Sequence, residues 1–298
     1  MSFSGDVKRE LGKQYSKGRH CQLAELAAIL EMVGKVQEKP CVLEITSDNM
    51  VVLEKYAVLM RQLFEVDITK PLEGNIVEKI LTTLKFFKED GLSLPLDEQR
   101  VDGLLVQNVC CKRAFIRGAF LASGSMSDPN KSYHFEIVCR TMEQAEQLQQ
   151  LMNGFETEAK IVERKGHYVV YLKEGSQIVD MLNVMEAYVS LMNLENVRIL
   201  KEMRNSVNRK VNCETANISK TVNAAVKQLE DIELIRSKLG LDQLPQNLRE
   251  MALIRLEYPE AALKELGNYL TPPVGKSGVN HRLRKLAEIA ENLRGEYE

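Results

Sequence analysis

The chain has 298 residues, enough for two or three compact units. Its 44% hydrophobic and 28% charged residues are an ordinary globular balance, and a net charge of −2 advertises no polyanionic partner. No apolar run approaches the roughly 18–20 residues needed to span a bilayer, and the polar opening MSFSGDVKREL has no signal-peptide core, so neither membrane nor export is expected.

The charge is unevenly divided. Residues 1–200 carry 24 Lys+Arg and 28 Asp+Glu, a net of −4; residues 201–298 carry 16 and 14, a net of +2. Six cysteines (Cys21, Cys41, Cys110, Cys111, Cys139, Cys213) form no CxxC pair, and the neighbours Cys110 and Cys111 cannot bridge without strain. The four histidines, His20, His134, His167 and His281, are scattered. Reduced thiols in a cytoplasmic setting are expected, with no disulfide, no metal cluster and no cofactor.

In chain order, 2–14 predicts a short amphipathic helix capped at Ser4, with Val7 and Leu11 on one face. A helix follows over 20–34. Lys39-Pro40 breaks the pattern, and Cys41–Thr46 alternates as a strand does. Met50–Phe64 returns to helical spacing, Val66–Ile68 is strand-like, Leu72–Asn75 is a turn, and Ile76–Phe87 fits strand or helix equally. Gly91–Asp102 carries proline and glycine punctuation and is read as a join. Beyond it come a helix over 110–124, the turn SMSDPNKS, a strand Tyr133–Cys139 and a helix Met142–Phe155. A hairpin of Ala159–Glu163 and Tyr168–Leu172 turns at Arg164–His167, and a helix spans Gln177–Met185. From Ala187 strand signals disappear. Helices are predicted over Tyr188–Val211, Ala216–Leu239, Pro245–Leu256, Glu260–Leu270 and Val279–Leu293.

Two of these segments repeat each other. Leu23–Gly34 (LAELAAILEMVG) and Arg113–Gly124 (RAFIRGAFLASG) both mix small residues with bulk, and their terminal glycines lie 124 − 34 = 90 residues apart. Small residues at three- and four-residue spacings let another backbone come close on one helix face. Leu26–Gly34 and Ile116–Gly124 resemble the nine-residue signature helix of LAGLIDADG homing endonucleases. That resemblance implies two helices side by side at a pseudo-two-fold axis, with an acid at the eighth motif position holding a divalent metal. Here those positions are Val33 and Ser123. Valine cannot ligate a metal, and a neutral hydroxyl is a poor substitute for a carboxylate on a hard cation. Glu31 occupies the other acidic position of the first motif. The scaffold is expected to be kept and the catalytic residues to be missing.

The carboxy-terminal segment has the outline of a helix-turn-helix. Val279, Leu283, Leu286, Ala290 and Leu293 form an inward stripe. Ser277, His281 and Arg284 point the opposite way, flanked by Asn280 and Lys285; Lys276 and Arg282 complete the expected DNA-binding set. From Lys264 to Lys285 there are five Lys/Arg against one acid, Glu265. A second basic cluster, Arg198, Lys201, Arg204, Arg209 and Lys210, lies between the halves, and Arg204, Arg209 and Lys210 are secondary candidates for a phosphate backbone. The plainer reading of that cluster is an exposed helix and joint, with Asn205, Asn208, Asn212 and Asn217 as caps and turns.

The layout LPQNLREMALIRL…LKELGNYL…VNHRLRKL resembles region four of sigma factors. With the opening SFSGDVKREL and the stretch RNSVNRKVNCETANISK, the whole chain resembles the WhiA family. That implies a bacterial DNA-binding regulator tied to cell division, chromosome segregation or sporulation, cytoplasmic and nucleoid-associated. The fold expected is an α+β domain of tandem LAGLIDADG-like repeats (1–95 and 96–196) with saddle-shaped sheets. A linker (197–217) leads to an all-α domain (218–298) with the helix-turn-helix at about 259–293. Double-stranded DNA is the expected partner, and the net −4 of the first half makes a protein partner there a competing reading. Alternatives are a protein-interaction or RNA-associated adaptor of the division machinery, and a working endonuclease using other carboxylates such as Glu31 and Asp128.

Overall fold

Two fifteen-residue helices organise the first half of the computed structural model: α2 (Arg19–Val33) and α5 (Val109–Ser123). The structure describes residues 2–38, 41–68, 72–86 and 100–295, and the chain divides into two units, Met1–Glu202 and Met203–Glu298. Both helices begin and end 90 residues apart (109 − 19 and 123 − 33). Each is apolar nearly all round and is buried along most of its length, the condition under which such a helix is stable in a soluble unit. They pack on each other at Gly118, where an added Cβ would lie 2.5 Å from the Glu25 carbonyl oxygen and 3.0 Å from the Ala28 Cβ. Any side chain there would push the two backbones apart.

Each helix passes straight into a strand through its terminal glycine, with nearly equal backbone angles: φ −74, ψ 152 at Gly34 and φ −82, ψ 156 at Gly124. The first sheet is antiparallel and runs β1 (Gly34–Glu38), β2 (Cys41–Ile45), β3 (Leu72–Glu73). The second contains β4 (Gly124–Met126), β5 (Phe135–Cys139), β6 (Lys160–Arg164) and β7 (His167–Leu172) in the order β4-β5-β7-β6. Gly34 pairs with Ile45 and Gly124 with Ile137, so the helix-to-strand passage has the same register in both copies. Positive φ at Lys165 (54) and Gly166 (77) makes the tight β6–β7 turn that matches strand twist.

Around the sheets lie α1 (Phe3–Gly12), α3 (Met50–Phe64), α4 (Asn75–Thr83), α6 (Met142–Asn153) and α7 (Gly175–Met185). A single core, including Leu26, Leu30, Phe115, Phe120, Phe135 and Met181, runs through both repeats. Several expectations change. Strands β1 and β4 lie where no strand was expected, because KVQE is polar and SMS is short; backbone pairing, not side-chain pattern, makes them. Val66–Ile68 is not a strand, and 76–83 is helical. Ser2, not Ser4, caps α1; the Ser4 hydroxyl accepts from the Met126 N–H instead. The expected join at 91–102 lies largely outside the described residues.

The form of 197–217 differs from the expected joint: it is the middle of one helix, α8 (Tyr188–Lys238), within which the division between the two units falls. Nothing in those 51 residues is Gly or Pro, so the Asn-rich stretch has no breaker and its amides face water instead of capping. In the first unit the Glu10 carboxylate accepts from the N–H groups of Val189 and Ser190 at 2.8 and 2.9 Å, an anion on the first turn of α8. In the second, Ile232 and Ile235 join the core. From 202 to 224 every residue is exposed, including the apolar Ile218 and Val222.

Second-unit helices are α9 (Gln246–Glu257), α10 (Leu263–Tyr269) and α11 (Lys276–Gly295). Leu248, Met251, Leu266, Val279, Leu283 and Leu286 pack with the end of α8 into a separate core. Gly267 lets the α10–α11 connector cross closely: the Val274 N–H donates to the Gly267 carbonyl at 2.9 Å, and a Cβ on Gly267 would overlap the Val274 carbonyl.

Candidate nucleic-acid interface and the repeat seam

The seam between α2 and α5 has different chemistry along its length. At the carboxy-terminal ends, Val33 and Ser123 stand where the homing-endonuclease pattern needs acids. The Ser123 hydroxyl turns back onto its own helix, donating to the Ala119 carbonyl at 3.3 Å. Beside it the Arg140 guanidinium donates to the Gly34 carbonyl at 2.9 Å, so a fixed cation lies at the end of α2. Glu31 is completely buried and neither carboxylate oxygen has a hydrogen-bond partner. Burial pushes its carboxyl well above the usual range, opposed in part by the Arg140 charge. Asp128 is far less enclosed: its carboxylate accepts from the Asn130 N–H at 2.9 Å within its own turn. Among the described residues no cluster of carboxylates forms a cation site. A hard divalent ion has no donor set here.

Midway along the seam lies a buried ion cluster that sequence reasoning missed. Glu25 accepts from Lys55 Nζ at 3.1 Å and from Arg117 Nε at 3.0 Å. Arg117 also reaches Glu186 at 2.7 Å and the Ser16 hydroxyl at 2.7 Å. Lys55 donates further to the Leu11 carbonyl at 3.1 Å and to the Gln14 carbonyl. Multiple partners are what make buried charge tolerable, and removing one member of such a set typically costs about 3–5 kcal/mol. The only sequence signal was a charged residue inside each apolar signature helix.

At the amino-terminal ends of the same helices, four residues converge. His20 Nδ1 lies 3.1 Å from Cys111 Sγ, 3.2 Å from Cys21 Sγ and 3.9 Å from Cys110 Sγ. All four ligand atoms fall within 4.8 Å of one another. The scattered histidines and thiols, expected to form no metal-ligand cluster, therefore come together at this end. The two pairs are far apart in sequence, and the helix pairing alone brings them together.

In the second unit, Lys276, Ser277, Asn280, His281, Arg284 and Lys285 are all exposed on α11, while Val279, Leu283, Leu286 and Ala290 are buried. Leu293 packs partly buried against the same core. Arg282 is the exception among the expected DNA contacts. It turns toward α9, 3.6 Å from Glu250 and donating to the Asn247 carbonyl at 3.4 Å, so it is a packing residue. Glu265, the one acid in the basic stretch, accepts from the Ala262 N–H at 2.9 Å and so caps α10. Arg294 and the buried Asp231 close the far end of α11 on α8 at 2.6 Å. Of the second basic cluster, Arg198 pairs with Glu195 at 2.9 Å and Lys201 donates to the Pro129 carbonyl at 2.6 Å. Arg204, Arg209 and Lys210 are exposed on α8.

The family profile described as the WhiA LAGLIDADG-like domain matches residues 112–204, and that of the WhiA C-terminal HTH domain matches residues 207–290. A protein of Lachnoclostridium phytofermentans named "Probable cell division protein WhiA" is 52% identical, covering 99% of this chain and 100% of that protein. The chain belongs to the WhiA family. A second WhiA relative of the same name, from Alkaliphilus oremlandii, is 51% identical over 98% of both chains. The crystal structure of full-length WhiA from Thermatoga maritima matches with a TM-score of 0.60 at 26% identity, covering 98% of this chain and 99% of that one. WhiA architecture thus accounts for both halves: a LAGLIDADG-like domain followed by a helix-turn-helix domain. No helix among the described residues is long and apolar enough to cross a membrane.

Proposed function

We propose that this chain is a non-enzymatic, cytoplasmic and nucleoid-associated DNA-binding protein that regulates transcription in support of cell division and chromosome segregation. The observation that carries this is the outer face of α11. Six exposed polar or basic side chains cover it, its inner face is locked into a core, and the neighbouring acid is engaged in capping. Lys276 and Ser277, at the start of α11, suit phosphate oxygens. Asn280, His281 and Arg284 project one to two turns further along, where a recognition helix meets base edges. The names of the relatives supply the link to division.

Absence of a suitable donor set at Val33 and Ser123 supports a non-cutting role, with the LAGLIDADG-like unit acting as a platform. The net −4 of residues 1–200 favours a protein partner there over the phosphate backbone. The test is a mobility-shift titration of a His281→Ala/Arg284→Ala variant at several salt concentrations. Removing a charged group and a base reader together is expected to weaken binding by about tenfold or more. Unchanged affinity would refute the assigned face.

A further inference from the structure

We propose that His20, Cys21, Cys110 and Cys111 form a structural zinc site that clamps the two repeats together at the amino-terminal end of the seam. Three thiols and one imidazole are a standard closed donor set for this ion, leaving no open coordination position for chemistry. Zn–S bonds of about 2.3 Å and Zn–N bonds of about 2.0–2.1 Å in a tetrahedron separate the ligand atoms by roughly 3.5–3.8 Å. The imidazole nitrogen is already 3.1, 3.2 and 3.9 Å from the three sulfurs, and all four ligand atoms lie within 4.8 Å of one another, so shifts of about 1 Å seat the ion.

The symmetry of the fold makes this convergence specific. His20 and Cys110 are 90 residues apart, as are Cys21 and Cys111, the same offset that separates the starts of α2 and α5. Each repeat therefore contributes the same two positions of its first helical turn. Cys21 and Cys111 are buried; His20 and Cys110 are exposed, which leaves an entry path. Binding releases three thiol protons, changes no oxidation state, and leaves a net charge of −1 on the complex. The positive ends of both helices point at that charge and favour it. Soft thiolates select zinc over a hard divalent cation such as the carboxylates of the homing-endonuclease pattern would hold. The ion would thus sit at the opposite end of the paired helices from Val33 and Ser123.

The test uses the full-length reduced chain, stripped with a chelator and titrated with Zn²⁺ against a chromogenic competitor. Co²⁺ serves as the spectroscopic substitute. One equivalent of tight binding is expected, with thiolate-to-cobalt charge-transfer absorption and a higher melting temperature with metal than without. Cys110→Ser and His20→Ala alter exposed side chains; circular dichroism of the metal-free forms checks that they fold. Each is expected to weaken zinc binding by at least about 100-fold, more than removal of an outer-sphere partner, and to abolish the thermal shift. Cys213→Ser, outside the cluster, should bind as the parent does. Sub-stoichiometric or weak binding by the parent would overturn the proposal. So would full affinity in Cys110→Ser and His20→Ala, or a disulfide within the cluster that takes up no zinc after reduction.

Discussion

Glu31 carries a consequence of its burial that can be measured. Its carboxyl holds a proton in the folded chain above the ordinary 4.5, where the unfolded chain has released it. The folded state then binds more protons than the unfolded one, so this group's contribution to stability falls as pH rises above 4.5 toward the folded value. Within that window the slope is about 1.4 kcal/mol per pH unit at most. Glu31→Gln, which keeps the shape and cannot ionise, is expected to match the parent's melting temperature near pH 4 and to exceed it by a growing margin as pH rises above 4.5 toward the folded value. Thermal melts across that range check it; a parallel pH dependence in both proteins would show that Glu31 is ionised in the fold. The signature-motif spacing picked out Glu31, but it gave no hint that the side chain sits without partners in the core, because burial of a single carboxyl depends on the far repeat.

At the level of elements, the α2–α5 pair was legible because its information is local and duplicated: small residues at helical spacing, closed by glycine, twice. Gly118→Val is expected to lower stability by about 3 kcal/mol or more, since the added atoms meet the Glu25 carbonyl and not a flexible side-chain tip. Denaturant unfolding of the variant measures this, and a change below about 1 kcal/mol would mean that the backbones are not in close approach. The helices of the second unit were legible for the same reason, their inward stripes being regular. What stayed hidden was set by partners distant in the chain. Strands β1 and β4 are defined by pairing with β2 and β5, and the Glu25–Lys55–Arg117 cluster joins three separate segments. The continuity of α8 is not legible in the sequence because asparagines suit caps and turns as well as an exposed helix face, although no Gly or Pro stands among its residues. Exposed from 202 to 224, that stretch has no buried side chain to protect it. Hydrogen exchange of its amides is expected to be faster than at Leu194 or at Ile232 and Ile235, which are buried in the two units. Equal protection along the whole helix would point to a partner covering it.

For the whole molecule, two units divide two kinds of chemistry. The first retains a nuclease-like pair of helices with valine and serine at the metal positions; the second presents a basic helix face. Duplex DNA held on this face makes binding steeply dependent on salt. Removing one cation that neutralises a phosphate should make the slope of log K against log salt shallower by about 0.9. We therefore compare the full-length chain with a Lys276→Ala/Arg284→Ala/Lys285→Ala variant by fluorescence anisotropy on duplex DNA over a range of salt. The parent is expected to bind with a steep negative slope, and the variant more weakly with a slope shallower by about 2–3. Identical slopes and affinities for the two proteins would contradict DNA binding by this face.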